Sequence, residues 1–151
     1  MTLILMTWHI PDPDTQPEFY DDVPFKRAIA GVIDICLTLI LGLLIVPFTA
    51  FAGVFFFPVL ALTIGLIYRT ACLSKSSATL GMRVMAIEIL TLDGRRLDPA
   101  YAFWHSLTFT GFCVFPPLLA LSALVMLTTP RHQNLGDLML GTIAINRRAA
   151  M

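Results

Sequence analysis

Residues 25–37, FKRAIAGVIDICL, decide the fold: two basic residues, Lys26 and Arg27, open an apolar run, and Asp34 lies inside it. A charged Asp at the centre of a membrane helix costs about 2.5 to 3.5 kcal/mol, and such groups usually face a partner or a water-filled cavity. The stretch therefore predicts a membrane helix in which Asp34 meets a partner from elsewhere in the chain.

The composition indicates an integral membrane protein. Hydrophobic residues make up 57% of the 151 residues and charged residues 13%, against about 25% charged in an ordinary soluble domain. Residues 35–67 and 99–130 contain no charged residue, and each interval exceeds the roughly 20 residues that cross a bilayer. Acidic and basic residues balance to zero formal charge, so no nucleic-acid partner is expected.

The chain divides into an acidic, proline-rich N-terminal arm at 1–24, a membrane domain at 25–148 and a tail at 149–151. Membrane spans are predicted at about 25–50, 54–70 and 101–129. The first two form a helical hairpin with its turn at 51–53. We therefore predict an all-α integral membrane protein with a helical hairpin, a third kinked or re-entrant helical region, and a small cytoplasmic β-hairpin or strand element.

The third apolar region has two possible arrangements. A straight helix of about 30 residues would be roughly 45 Å long, against a hydrocarbon core of roughly 30 Å. Pro116-Pro117 lies near its middle, where a kink or turn is expected. A single span would send the basic tail outside, against the positive-inside rule, so a bent or re-entrant pair is favoured.

The β element is predicted from alternation. Residues 82–91 alternate with a period near two, and Asp93-Gly94 is a tight-turn signal, so we expect a hairpin over 82–97. Thr142 to Asn146 also alternates and could add a strand. The loop between Arg69 and Asp98 is rich in basic residues, which places it in the cytoplasm together with the N-terminus.

A polar and small-residue stripe follows one face of the first span at helical spacing. Such a face packs against protein, because small residues allow close approach and polar ones form cross-links. Its members are Arg27, Ala30, Gly31, Asp34, Thr38 and Gly42.

Arg27 lies about 10.5 Å from Asp34 along a helix axis, which excludes a direct contact within one helix. The candidate partners of Asp34 are Arg83, His105, Arg131 and the backbone N–H groups of 135–138. Two roles stay open for Asp34: a structural cross-link of the helix bundle, or a site that exchanges a proton or cation.

Asp137 follows Gly136 and precedes an apolar run. This position favours a helix cap, or a pair with an arginine of the tail, over a role in transport. The cysteines lack metal-ligand spacing, and no metal or cofactor is expected.

Three blocks, taken in order, resemble the RDD family of mostly bacterial membrane proteins: residues 26–34 (KRAIAGVID), residues 79–83 (TLGMR) leading to 92–95 (LDGR), and residues 133–137 (QNLGD) through 141–142 (GT). The family is named for one arginine and two aspartates, which correspond here to Arg27, Asp34 and Asp137. The resemblance covers about residues 25–148.

The chain departs from the family pattern at three positions. Leu80 and Met82 stand where proline and lysine are common, and His105 stands where arginine is frequent. A mechanism that needs a second cation at that position would here depend on the protonation of His105.

The resemblance implies a multi-pass protein of the bacterial inner membrane, and transport of ions or other ligands has been suggested for the family. No nucleophile elbow, phosphate loop or metalloprotease motif occurs in the sequence, so we expect no enzyme. A transporter component and a non-transporting structural or regulatory module remain as alternatives. The expected partners are the lipid bilayer and a second copy or another membrane protein.

Overall fold

The computed structural model describes residues 10–147. Residues 1–9 of the predicted arm, Arg148 and the predicted tail at 149–151 lie outside the described residues.

Two long helices form a hairpin. Helix α1 (Val23–Ile45) has 23 residues and helix α2 (Phe57–Ser76) has 20, which correspond to lengths of about 35 and 30 Å. Short 3₁₀ turns at Val46–Thr49 and Ala52–Val54 connect them. Among residues 10–147 these two helices are long and apolar enough to cross a membrane, and a bent pair of helices raises the number to at most three.

Helix α2 continues to Ser76 rather than ending near residue 70. The sequence interpretation placed Tyr68 and Arg69 at the membrane interface, where an aromatic ring and a cation are both favourable. In the structure Arg69 is buried inside the protein, and α2 continues past it to Ser76.

The predicted break in the third apolar region is confirmed. Helix α4 (Pro99–Val114) and helix α5 (Pro116–Thr128) are bent by 119°. They contain 16 and 13 residues, so each is about 20 to 24 Å long and shorter than the hydrocarbon core of roughly 30 Å. Pro116 begins α5, where its missing N–H carries no penalty because the first turn has no intrahelical acceptor.

The small β element is present, but its partners differ from the prediction. Strand β1 (Ile87–Thr91) pairs antiparallel with strand β2 (Thr142–Asn146). Residues 82–84, the first part of the predicted hairpin, belong instead to a short helix, α3 (Leu80–Val84). The strand pairing predicted across the Asp93-Gly94 turn is limited to one bridge, between Leu90 and Arg96.

The order of elements repeats within residues 23–146. Two apolar helices, a short helix and a strand occur first as α1, α2, α3 and β1, and again as α4, α5, α6 (Leu135–Leu140) and β2. Each short helix begins with a side-chain cap, because Thr79 accepts a hydrogen bond from the Met82 N–H and Asn134 from the Asp137 N–H. The two halves thus end in similar units that meet through the strands.

The same similarity extends to the first amide of each short helix. The Leu80 N–H donates to the Tyr68 hydroxyl at 3.0 Å, and the Leu135 N–H donates to the Ser122 hydroxyl at 3.1 Å. These donors lack intrahelical acceptors. In both halves, therefore, the preceding long helix supplies the acceptor that holds the short one.

Most of the buried hydrophobic residues lie around the sheet. Tyr20, from the acidic arm, is buried against Ile143 and Ile145 of β2, and its hydroxyl donates to the Pro11 carbonyl. Within the same arm, Pro17–Phe19 forms a 3₁₀ turn. A second buried cluster joins the sheet to the adjacent ends of the helices: Val23, Ala30, Leu73, Ala78, Met82, Ile87, Ile89, Leu97, Ala102 and Ala144.

Candidate functional site

Asp34 is the centre of a buried polar cluster. It is only 3% exposed and lies on α1, in the polar stripe. Its carboxylate accepts hydrogen bonds from the Thr79 hydroxyl at 2.6 Å, the Tyr68 hydroxyl at 2.8 Å and the Gly81 N–H at 3.0 Å. The Nη1 atom of Arg69 lies 3.5 Å from Oδ2. Asp34 thus joins α1 to both α2 and α3.

The polar cluster around Asp34 supplies hydrogen-bond acceptors for the backbone N–H groups at the start of α3. The Gly81 N–H reaches Asp34 directly, whereas the Leu80 N–H reaches it through the Tyr68 hydroxyl. Thr79 accepts from the Met82 N–H and donates to Asp34. Buried N–H groups without acceptors are costly, so a carboxylate from another helix stabilises this end of α3.

Arg69 is a partner of Asp34 that the sequence analysis did not predict. It is 5% exposed, and its guanidinium carbon lies 3.9 Å from the centre of the Phe109 ring on α4. Its Nε has no hydrogen-bond partner among residues 10–147. One signal could have identified it: Asp34 and Arg69 lie at similar distances along the chain from the turn at 51–53, so an α-helical hairpin brings them to the same level.

Asp137 is the centre of a second cluster and is fully buried. Arg27 Nη1 lies 2.5 Å from Oδ2, and His105 Nε2 lies 3.1 Å from Oδ1. The Thr142 hydroxyl donates at 2.9 Å and the Asn134 N–H at 3.2 Å. Asp137 therefore joins α1, α4, α6 and β2, and it completes a capping box at the start of α6.

The charge state of Asp137 follows from this environment. Burial alone would raise the pKa of its carboxyl, but Arg27 and His105 outweigh that effect and hold the pKa well below its usual range. A carboxylate flanked by a guanidinium stays ionised at neutral pH.

The residues predicted to be partners of Asp34 lie elsewhere in the structure. Asp34 contacts none of Arg83, His105 and Arg131 within the described part of the chain. Arg83 donates to the Ser76 hydroxyl, His105 pairs with Asp137, and Arg131 is exposed.

Arg27 has a partner on another helix. It does not contact Asp34, in agreement with the helical spacing, and its acceptor is Asp137. Asp137 caps its helix, as one of the predicted alternatives required, but its arginine comes from α1 rather than from the tail.

Two cavities lie beside Arg69. A cleft of about 470 Å³ lies between α1, α2 and α4, and Asp34 and Arg69 both line it. A second cavity of about 320 Å³ lies between α1, α4 and α5 and is lined by Arg27 and Arg69. Both have mostly apolar walls, which is typical of ligand pockets with a few placed polar groups.

Apolar helices of membrane-spanning length, together with buried charges that join the helices, indicate the class of membrane proteins. The chain belongs to the RDD family, whose model matches residues 23–141. No match was found among curated proteins or among solved structures.

Proposed function

We propose that this chain is a multi-pass membrane module in which Arg27, Asp34 and Asp137 are internal cross-links, and that it acts as a structural or regulatory component rather than as a transporter or an enzyme. The observation that carries the proposal is the saturation of both carboxylates. Each is buried, and each has contacts from four other residues.

A transported ion needs acceptor positions that are free or readily released. A carboxylate offers about four lone-pair sites, and those of Asp34 and Asp137 are occupied by side chains and backbone N–H groups. Breaking one partner of a buried charge pair typically costs about 3 to 5 kcal/mol. Ion exchange at either group would therefore open the contacts that hold α3 or α6 in place.

The proposed location is the inner membrane of a bacterium, with the N-terminus in the cytoplasm and an even number of crossings. Lys26 Nζ lies 2.7 Å from Asn146 Oδ1, so the start of α1 and the end of β2 are adjacent. The pairing of β1 with β2 brings the chain after α2 to the same end. The basic loop at this end supports a cytoplasmic position.

A second candidate function is transport of an ion or small ligand at a site that includes Asp34. One observation favours it: Asp34 lines the cleft of about 470 Å³ between α1, α2 and α4. An ion reaching the cleft would meet this carboxylate beside Arg69.

Cation-dependent proton flux in everted membrane vesicles separates the two candidates. Vesicles would contain wild type, Asp34→Asn, or Asp93→Asn as a matched control, because Asp93 is exposed in a turn. With equal amounts of inserted protein, we expect no flux above that of empty-vector vesicles in any sample. Flux in wild type and Asp93→Asn that disappears in Asp34→Asn would overturn the proposal and establish transport.

A further inference from the structure

Arg69 has more donors than its surroundings have acceptors. A guanidinium carries several N–H donors in a planar fork, yet the nearest acceptor of Arg69 is Asp34, at 3.5 Å, and Nε has no partner among residues 10–147. The Asp34 carboxylate already accepts hydrogen bonds from Tyr68, Thr79 and Gly81 at 3.0 Å or less. The pair is therefore short of an acceptor, and an additional anionic oxygen would satisfy it.

The cleft beside this pair has the lining of a site for an apolar chain. Leu39 of α1, Leu62 of α2 and Val114 of α4 contribute to its walls, and the small residues Ala61 and Gly65 leave space on the α2 side. Leu39 and Val114 are exposed on the outer surface of the helices. The cleft is thus continuous with the apolar surface that faces lipid in the proposed membrane arrangement.

We propose that this cleft binds a long-chain fatty acid from the bilayer, with the carboxylate at Arg69 and the alkyl chain between α1, α2 and α4. A carboxylate matches the guanidinium in charge and accepts two parallel hydrogen bonds from it. The alkyl chain matches the apolar walls, because it gains van der Waals contacts with them when it leaves the surrounding lipid.

The two halves of the ligand are both required by this geometry. A small anion without a chain would use Arg69 but leave the apolar walls unfilled. A neutral molecule with the same chain would fill the walls but would offer Arg69 no anionic oxygen in addition to Asp34. Binding should therefore depend on the charge of the head group and on the chain together.

The test uses the purified full-length chain in a neutral maltoside detergent, with deuterated palmitate as the probe and native mass spectrometry as the readout. Ala61→Phe fills the cleft without removing a charge. Ala71→Phe is the matched control, since Ala71 is exposed on the same helix. Arg69→Gln removes the cation, and Arg69→Lys restores a charge without the planar fork.

Palmitate should bind to wild type and Ala71→Phe, and at least about tenfold more weakly to Ala61→Phe and Arg69→Gln, with partial recovery in Arg69→Lys. Hexadecanol should bind at least about tenfold more weakly than palmitate, and acetate should not compete. Should Arg69→Gln fail to fold, Ala61→Phe and the comparison of head groups still decide.

Equal binding of palmitate to wild type and Ala61→Phe would overturn the proposal, as would equal binding of palmitate and hexadecanol. Displacement of palmitate by an equal concentration of phosphatidylglycerol would also overturn it, because the cleft would then prefer a two-chain lipid.

Discussion

At the scale of single residues, Gly81 shows how closely α3 approaches α1. A Cβ atom at this position would collide with the Ala30 carbonyl oxygen and would lie 2.9 Å from Asp34 Oδ1. Both neighbours are held in place, the first by the backbone of α1 and the second by its hydrogen bonds. Only glycine allows the Gly81 N–H to reach the carboxylate here.

We expect Gly81→Ala to destabilise the protein by about 1 to 3 kcal/mol, the usual cost of adding an atom to a packed site. Gly31→Ala is the matched control, because a Cβ there meets nothing within 4 Å and alanine favours the helix by up to about 1 kcal/mol. Unfolding by sodium dodecyl sulphate in mixed micelles measures both. Equal stability of Gly81→Ala and wild type would contradict the close approach.

The Asp137 cluster makes a prediction about pH. Because Arg27 and His105 hold the folded-state pKa of Asp137 below its usual range, and an unfolded Asp titrates near about 3.9, the ionised carboxylate stabilises the folded state above that pH. The contribution is lost as the pH falls through the lower folded-state pKa. Stability due to Asp137 should thus be complete near neutrality and shrink in acid.

The measurement is the difference in unfolding free energy between wild type and Asp137→Asn in detergent. It should be about 3 to 5 kcal/mol near pH 7 and should become smaller as the pH is lowered from about 4 toward 3. Asp93→Asn, which changes an exposed turn residue, is the matched control. A difference that stays constant down to about pH 3 would contradict the assignment.

At the scale of elements, the short helices α3 and α6 depend on acceptors from other helices. With five and six residues, neither is stable alone, since isolated helices shorter than about 12 to 15 residues are marginal in water. Tyr68 serves α3 and Ser122 serves α6 by accepting from the first helical N–H. These contacts connect each short helix to the long helix before it.

Tyr68→Phe should destabilise α3 by about 1 to 3 kcal/mol, because the Leu80 N–H loses its acceptor and Asp34 loses a donor. Tyr101→Phe is the control, since Tyr101 is exposed. Thermal unfolding measures the global change, and hydrogen exchange at Leu80 and Gly81 measures the local one. Unchanged exchange at both amides in Tyr68→Phe would argue against this support of α3.

At the scale of the whole molecule, the buried hydrophobic clusters lie where the ends of the helices meet the sheet. The sheet, the two short helices and both carboxylate clusters occupy this end. The opposite end of the α1–α2 hairpin carries exposed aromatic side chains, with Phe48 90% exposed. The charged cross-links and the sheet therefore fix one end of the helices.

This arrangement predicts the topology. Reporters fused within the loop near Asp93 and after Asn146 should both read as cytoplasmic, because β1 and β2 are paired. A reporter inserted near Ala50, in the connection between α1 and α2, should read as periplasmic. A periplasmic signal after Asn146 together with a cytoplasmic signal near Asp93 would be incompatible with the pairing of β1 and β2.

Several features were predictable because they depend on local chemistry. Apolar intervals longer than a bilayer crossing predicted the helices, and Pro116-Pro117 predicted the break between α4 and α5 because proline removes an N–H from the helix interior. Alternation predicted the strand at Thr142–Asn146. The three family blocks identified the RDD family, and the charged residues Arg27, Asp34 and Asp137 emerged from the same blocks.

Only the tertiary structure decided which of these groups meet. Asp34 pairs with Arg69 and accepts hydrogen bonds from the start of α3, and Asp137 pairs with Arg27 and His105. The paired groups are 32 to 110 residues apart in the chain. The α1–α2 hairpin and the pairing of the two strands bring them together. Local alternation at 82–91 also misassigned residues 82–84, which belong to α3 because a side-chain cap and the Asp34 carboxylate stabilise the start of that helix. Sequence by itself determines which residues need a partner, whereas the partner's identity depends on packing between distant elements.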